Sequence, residues 1–181
     1  MDMKLRRRVT VASWAILLAG AFVSCTPAAE GPIALASFTE NYVDVSIHLE
    51  QNAAGNFVLS ATFTPPVGYH LYSKDIPITG VNGLGRPTLL ELTTESQMQA
   101  MGNLIESAKA ETPAFEPKEL LVYPAGAVTL RLPVKLTSGN NWIDDEVAVT
   151  YMACSASLCK PPVMGKVVPV RVPGADMPGN E

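Results

Sequence analysis

The stretch that decides the fold is Tyr42-Val-Asp-Val-Ser-Ile-His-Leu-Glu50, in which apolar and polar residues alternate without a break. The four apolar positions from Val43 to Leu49 share one face, and the polar positions between them share the other. A period of two is typical of a β-strand with one buried face. The alternation returns in Asn56–Thr64 after a turn at Asn52-Ala-Ala-Gly55, so the two runs are predicted to pair as a hairpin.

Further short runs, rich in Val, Leu and Tyr, are separated by Gly and Pro along the rest of the chain. The predicted strands are Gly68–Tyr72, Thr88–Thr93, Glu119–Tyr123, Ala127–Leu136, Glu146–Cys154 and Val163–Val172. Short strands with turn signals at regular intervals indicate an all-β protein, and specifically an antiparallel β-sandwich. Pro133 lies inside one of the runs and predicts an edge or a bulge there.

The segment 94–112 admits two interpretations. Met98, Met101 and the apolar residues after them fit the spacing of one helical face. Gly102 interrupts that face, and a glycine inside a helix costs about 1 kcal/mol relative to alanine. The conformation of this segment stays open at the level of sequence.

The N-terminus has the pattern of an export signal. A basic start is followed by an apolar run, Val9–Ser24, which is short for a spanning helix of roughly 20 residues. The run ends in Phe22-Val-Ser-Cys25, which resembles a bacterial lipobox. We therefore expect residues 1–24 to be a signal peptide and Cys25 to carry a lipid anchor. The alternative is an ordinary signal peptide that is cut a few residues later.

The chain of 181 residues, 48% hydrophobic and 17% charged, has the length of one domain. A formal net charge of −4 argues against nucleic acid as a partner, because phosphate binding needs clustered Lys and Arg. After the signal, the predicted organisation is a tether at 25–37, the sandwich at 38–172 and a flexible tail at 173–181. No metal motif of the HExxH kind and no phosphate-binding glycine loop occurs, so neither a metal nor a cofactor is expected.

The candidate chemistry lies in Cys154-Ser-Ala-Ser-Leu-Cys159-Lys-Pro-Pro162. Export to an oxidising compartment favours a disulfide between the two cysteines. A ring of about six residues restricts the unfolded chain by only about 2 kcal/mol, against nearly 5 kcal/mol for about 100 residues. Lys160 adjoins the second sulfur and is expected to favour its thiolate, the form that attacks disulfides. From spacing alone, a redox pair and a structural clip are equal alternatives.

Three segments resemble the N-terminal periplasmic domain of the DsbD thiol:disulfide interchange family. Val149–Pro162 is similar to the active-site hairpin of that domain, with its two cysteines and the paired prolines. Gly68–Asp75 resembles the family's aromatic strand, and Val122–Val134 resembles the strand pair before its cysteine hairpin. The resemblance covers about residues 38–172 and implies an immunoglobulin-like sandwich, in agreement with the alternating strands.

The resemblance also implies a function, that of a thiol:disulfide oxidoreductase of the protein-disulfide reductase type. Such a domain relays electrons in the periplasm of Gram-negative bacteria, from a membrane electron-transfer protein to thioredoxin-like proteins, including those of cytochrome c maturation. The resemblance further implies that Cys159 forms the bond to partners and that Cys154 resolves it. Because this chain has no transmembrane block and no thioredoxin-like domain, we expect a free-standing module with a separate electron donor.

Three further residues match positions near the active site of that family. Phe115 is similar to a phenylalanine that caps the disulfide, although simple loop or core packing is the alternative. Tyr72 matches an active-site aromatic residue, against the alternative of an ordinary cross-strand aromatic. His70 stands where the family often has tyrosine. A histidine there is able to tune the sulfurs, and its alternative is a surface histidine with its own partners.

Two other functions compete with thiol:disulfide exchange. One is an exported binding module whose disulfide is purely structural. The other is a Cu(I) carrier, because soft ligands select that ion, although methionines more often fill gaps in a core. The residues that suggest copper are Met98, Met101, Met152 and Met164, together with His70 and the cysteines.

Overall fold

A computed structural model describes residues 31–52 and 54–177 of the protein. The strands in those ranges are β1 (Ile33–Glu40), β2 (Val43–Gln51), β3 (Phe57–Thr64), β4 (His70–Leu71), β5 (Leu89–Leu92), β6 (Gln99–Ala100), β7 (Ile105–Glu106), β8 (Val128–Lys135), β9 (Trp142–Tyr151), β10 (Ala153–Cys154) and β11 (Val163–Pro173). Among the described residues there is no helix that could cross a membrane. The predictions for residues 1–24 and for Cys25 lie outside the described residues.

Two antiparallel sheets pack against each other. The larger sheet has the order β1-β2-β3-β8-β6, with β7 also on β8, and the smaller has the order β11-β9-β5. Both sheets contribute to one apolar core, in which Phe63 of the first and Tyr151 of the second meet edge to face with ring centres 5.5 Å apart. The described part of the chain is therefore all-β, an immunoglobulin-like antiparallel sandwich, and the predicted fold class is confirmed.

The hairpin of β2 and β3 forms as the alternation predicts. The two strands pair from Asp44 opposite Thr64 to Gln51 opposite Phe57. The apolar face of β2 is buried, and fully burying a side chain such as Ile47 stabilises the fold by about 1.5–3 kcal/mol. Register is thus set by burial, since a slip of one residue would expose the whole apolar face.

Strand β1 corrects the predicted tether at 25–37, because it begins at Ile33. It pairs with β2 through a turn at Asn41 and Tyr42, both of which have positive φ, 49° and 65°. This is the geometry of a two-residue hairpin turn, which normally favours glycine. A register shift between Ala34 and Ala36 breaks the period of two, so the sequence pattern did not reveal this strand.

The segment 94–112 forms no helix. It supplies the two short strands β6 and β7 on the outer edge of β8, and Met98 is buried in the main core. Between these two strands the outer edge of β8 has no strand partner, and Pro133 lies at that gap. The prediction of an edge strand or a bulge at this proline is wrong, because β8 lies between β3 on one side and β6 and β7 on the other, and it pairs with β3 without a bulge. The proline is accommodated at the gap between β6 and β7, where its carbonyl accepts the Met101 N–H at 2.8 Å.

The predicted strand at Glu119–Tyr123 does not form a regular ladder. Its backbone instead makes single bonds to the segment around β4: Ser73 N–H donates to the Leu121 carbonyl, and Tyr123 N–H donates to the Leu71 carbonyl, both at 2.9 Å. The predicted tail at 173–181 also begins too early, because β11 includes Pro173 and the chain just after it bonds back to the sandwich.

Candidate functional site

The two cysteines form a disulfide at the tip of a tight hairpin. Cys154 and Cys159 have Cα atoms 4.0 Å apart and are joined by an S–S bond. Ser155 holds the loop between them, because its N–H donates to the Leu158 carbonyl at 2.8 Å and its Oγ accepts the Leu158 N–H at 3.1 Å. The six-residue ring therefore has its own hydrogen-bonded framework.

The two sulfur-bearing residues have opposite surroundings. Cys154 is only 1% exposed and packs in a small apolar cluster with Tyr72, Ile76 and Leu120. Cys159, on the returning arm of the hairpin, is exposed. A molecule that approaches from solvent therefore meets Cys159 first.

His70 lies directly opposite Cys154 in the short ladder of β4 and β10. Its half-buried ring meets Tyr72 edge to face at 5.2 Å and stacks on Phe115 at 5.7 Å, with an interplanar angle of 27°. Burial lowers the pKa of His70 below its usual 6.5 and raises the pKa of Tyr72. The structure thus brings together four residues that the sequence pointed to, three aromatic side chains and a cysteine.

Phe115 reaches this cluster from a loop that is closed at its base. Glu111 and Val122 exchange two backbone hydrogen bonds, of 2.7 and 3.0 Å, where the loop begins and ends. Within the loop, the Lys118 ammonium group donates to the Ala114 carbonyl at 3.3 Å. Phe115 is 41% exposed, so one face of its ring contacts His70 while the rest meets solvent.

Lys160 has a contact that the sequence did not predict. Its ammonium nitrogen lies 3.9 Å from the centre of the Tyr42 ring and 5.4 Å from that of Tyr69, a cation–π arrangement. Its backbone N–H donates to the Ala153 carbonyl at 2.9 Å and closes the hairpin. The expected support of Lys160 for the Cys159 thiolate therefore has to compete with two aromatic rings.

The turn between β1 and β2, residues 40–42, holds the exit of the cysteine hairpin. Asn41 donates from Nδ2 to the Pro161 carbonyl at 2.9 Å, and Glu40 pairs with Lys166 at 2.8 Å. Together with the Tyr42 contact, this N-terminal turn fixes the chain on the far side of Cys159. Nothing in the sequence links these residues to the cysteines, because about 120 positions separate the partners.

The methionines that suggested copper do not gather around the cysteines. Met98 belongs to the main core, whereas Met152 packs against the small cluster that contains Cys154. Met101 and Met164 are exposed. In the described ranges no group of three or more His, Cys, Asp or Glu side chains is placed to hold a metal ion.

Comparisons with known proteins give a likeness of fold. No protein-family model matches the chain, and no curated protein matches it. Among solved structures, the chain is similar to the crystal structure of the Neisseria meningitidis DsbD N-terminal domain in the reduced form. The two are 15% identical with a TM-score of 0.43, over 71% of this chain and 83% of that one. A likeness at this level of identity and TM-score does not decide function.

Proposed function

We propose that the chain is a periplasmic thiol:disulfide exchange module that relays electrons between a membrane-linked reductant and thioredoxin-like proteins. The observation that carries the proposal is the difference between the two cysteines, one exposed and one 1% exposed. Exchange requires a sulfur that a partner can reach and a second sulfur that stays protected until it displaces the partner. Cys159 and Cys154 fit these two roles.

The place of the disulfide in the fold favours redox chemistry over a structural clip. Neither cysteine belongs to the main core that joins the two sheets, and Cys154 packs only in the small cluster. The ring closes about six residues and restricts the unfolded chain by only about 2 kcal/mol. Since Ser155 already holds the hairpin with hydrogen bonds, the S–S bond is not needed to shape it.

The exchange reaction proceeds in two balanced steps. A thiolate of a reducing partner attacks Sγ of Cys159, the Cys154–Cys159 bond breaks, and Cys154 leaves as a thiolate that takes up a proton. A second partner thiolate then attacks the partner's bonded sulfur and releases Cys159. Two electrons pass to the module while the partner dithiol becomes a disulfide, and the reverse sequence reduces an oxidised thioredoxin-like protein.

The aromatic residues beside the disulfide support a shielding role. Phe115 covers His70, which lies opposite Cys154, and Tyr72 contacts His70 edge to face and packs in the same cluster as Cys154. We assign Phe115 the role of a cap that slows small reductants and oxidants. The loop that carries Phe115 is closed at its base, and the Phe115 ring is partly exposed, so a docking protein can reach the ring and displace it.

The proposal includes a lipid anchor at Cys25. Strand β1 starts at Ile33 and ends at the N-terminal turn that contacts Lys160 and Pro161. Eight extended residues span roughly 23 Å between the first and last Cα atoms. An anchor that precedes β1 would therefore attach the module at the end of β1 opposite to the turn that contacts the cysteine hairpin. Intact-mass analysis of the membrane fraction tests the anchor, and an unlipidated N-terminus beyond Cys25 would contradict it.

Trapping of a mixed disulfide tests the exchange proposal. The two single variants Cys154→Ser and Cys159→Ser, each a control for the other, are mixed in reduced form with a purified thioredoxin-like protein whose second active-site cysteine is replaced by serine and whose first is activated as a mixed disulfide with nitrothiobenzoate. Cys154→Ser should accumulate a covalent complex, seen by non-reducing electrophoresis and mass spectrometry, because nothing resolves it. Cys159→Ser should trap little. Trapping by Cys159→Ser alone would reverse the roles, and trapping by neither variant would contradict the exchange function.

A further inference from the structure

The ring nitrogen Nε2 of His70 is buried, and no hydrogen-bond partner for it exists among the described residues. A buried polar atom left unpaired costs about 1–3 kcal/mol, so its presence in a native structure calls for an explanation. The ring does not simply turn away, because Phe115 covers one face of it and the Tyr72 ring abuts it.

The missing partner fits the oxidised state of the site. His70 is the direct cross-strand neighbour of Cys154, and such neighbours have Cβ atoms about 4.5–5.5 Å apart on the same face of the ladder. In the disulfide form, Cys154 has no S–H to offer. Only reduction gives this sulfur a proton, and the residue that then carries the proton is the cross-strand neighbour of a histidine with an unpaired nitrogen.

From this juxtaposition we propose that His70 is a catalytic base of the exchange reaction, which accepts the proton of the Cys154 thiol. The inference rests on the proposed exchange function and names the group that activates its resolving sulfur. A base is needed because the thiolate, not the thiol, attacks a disulfide. Cys154 is 1% exposed, so its proton cannot pass directly to bulk water.

The charge state of His70 suits the role. Burial lowers its pKa, so the ring is neutral at neutral pH and able to accept a proton. Among the charged groups of the elements around it, Glu116 pairs with Lys118 at 3.5 Å in the loop that carries Phe115, and Lys160 lies over aromatic rings. Lys74 pairs with Asp75 at 2.6 Å just after β4, while Glu111 and Glu119 in the same loop as Phe115 are exposed to solvent. Tyr72 keeps its proton, because burial raises its pKa.

The step is balanced as follows. In the mixed disulfide between Cys159 and an oxidant, the Cys154 proton moves to Nε2 of His70 and the resulting thiolate attacks Sγ of Cys159. The Cys154–Cys159 bond forms, the bond from Cys159 to the oxidant breaks, and the oxidant leaves as a thiolate. The proton on His70 then passes to that leaving thiolate or to water, which restores the neutral ring.

The experiment uses the reduced protein and the aryl disulfide dithiobis(nitrobenzoate) as the oxidant. Attack by Cys159 releases a first equivalent of coloured nitrothiobenzoate in a phase that depends on reagent concentration. Attack by Cys154 releases a second equivalent in a concentration-independent phase, which Cys154→Ser lacks. His70→Phe keeps an aromatic ring between Phe115 and Tyr72. This variant should lower the rate of the second phase about a hundredfold relative to the parent protein, which is a typical contribution of a general base. The rate of the first phase should stay within about threefold of the parent value.

The pH dependence separates a base from a packing residue. In the parent protein, the second phase should slow only below the lowered pKa of His70, under pH 6.5, where the protonated ring no longer accepts a proton. The glutamine of His70→Gln can form a hydrogen bond but cannot act as a base. In His70→Phe and in His70→Gln, the rate of the second phase should instead rise about tenfold per pH unit as the Cys154 thiol ionises without a base. A second phase of unchanged rate and pH profile in both variants would overturn the assignment. A parent protein that releases only one equivalent would overturn the exchange function itself.

Discussion

The main core and the small cluster around Cys154 divide stability and chemistry between them. The main core spans both sheets and contains the fully buried side chains of β2, β3, β8 and β9. The small cluster consists of Tyr72, Ile76, Leu120 and Cys154, with a few half-buried neighbours, at one end of the sandwich. The first resembles the core of any sandwich domain, whereas the second places a reactive bond among aromatic rings.

The difference between the clusters shows how a redox site is built without weakening the domain. Packing between the sheets supplies the stability, and both cysteines come from one short hairpin. Breaking the S–S bond therefore leaves every strand pair of the two large sheets intact. The domain is expected to keep its fold through the redox cycle, which the following variants test in order of effect on stability.

The largest loss is expected from the main core. Phe63→Ala removes a ring that is 0% exposed and contacts Tyr151, and it should lower the free energy of unfolding by about 3–5 kcal/mol. Urea denaturation measures this loss. Val67 is fully exposed, so the control variant Val67→Ala should change the free energy of unfolding by no more than about 0.5 kcal/mol. The reduction potential of the disulfide should stay unchanged. A shifted potential would show that the two clusters are coupled.

Reduction of the disulfide should cost less. The unfolded chain regains the freedom of a ring of about six residues, so the reduced protein should be less stable by about 2 kcal/mol. Denaturation curves of the oxidised and reduced protein at one pH give the difference directly. A loss of 5 kcal/mol or an unfolded reduced form would identify the bridge as a structural element.

Phe115→Ala should separate stability from reactivity in the small cluster. Loss of the stacking on His70 should lower stability by about 0.5–1.5 kcal/mol. The rate at which dithiothreitol reduces the disulfide should rise, because the loop no longer shields it. Phe115→Leu keeps an apolar side chain, so its stability and its reduction rate should lie between those of the parent protein and of Phe115→Ala. An unchanged reduction rate in Phe115→Ala would remove the cap role while the trapping result stands.

The smallest effect is expected at the N-terminal turn. Tyr42→Ala removes the ring under the Lys160 ammonium group and should cost about 0.5–1 kcal/mol, the usual worth of an exposed cation–π contact. Lys160→Met should cost about the same, and the double variant should cost little more than either. Fully additive losses would show that the two side chains act independently.

Sequence reasoning succeeded where one pattern had one structural meaning. The alternation in β2 and β3 predicted both the strands and their pairing, because burial on one face fixes strand register. The expected export to an oxidising compartment predicted the disulfide between Cys154 and Cys159, and the structure forms it within one hairpin. In both cases the interaction that decides the structure is local in the chain.

Sequence reasoning failed where the deciding contact joins residues far apart in the sequence, or where the alternation of apolar and polar residues breaks. Strand β1 has an irregular register, and Glu119–Tyr123 bonds to the β4 region without a ladder, so neither follows its local pattern. The contact of Lys160 with Tyr42 joins two residues that are more than a hundred positions apart in the sequence. Likewise, the unpaired nitrogen of His70 follows from its place opposite Cys154, which only the assembled ladder defines.

The reduction potential of the Cys154–Cys159 pair tests the central claim most directly. The protein is equilibrated in glutathione or dithiothreitol redox buffers, and the oxidised fraction is read by thiol alkylation and mass spectrometry. An exchange module should have a potential above about −300 mV, within the span of about −270 to −120 mV that thioredoxin-like proteins cover. A value well below about −300 mV would mark a disulfide that such partners do not reduce, and it would contradict the account.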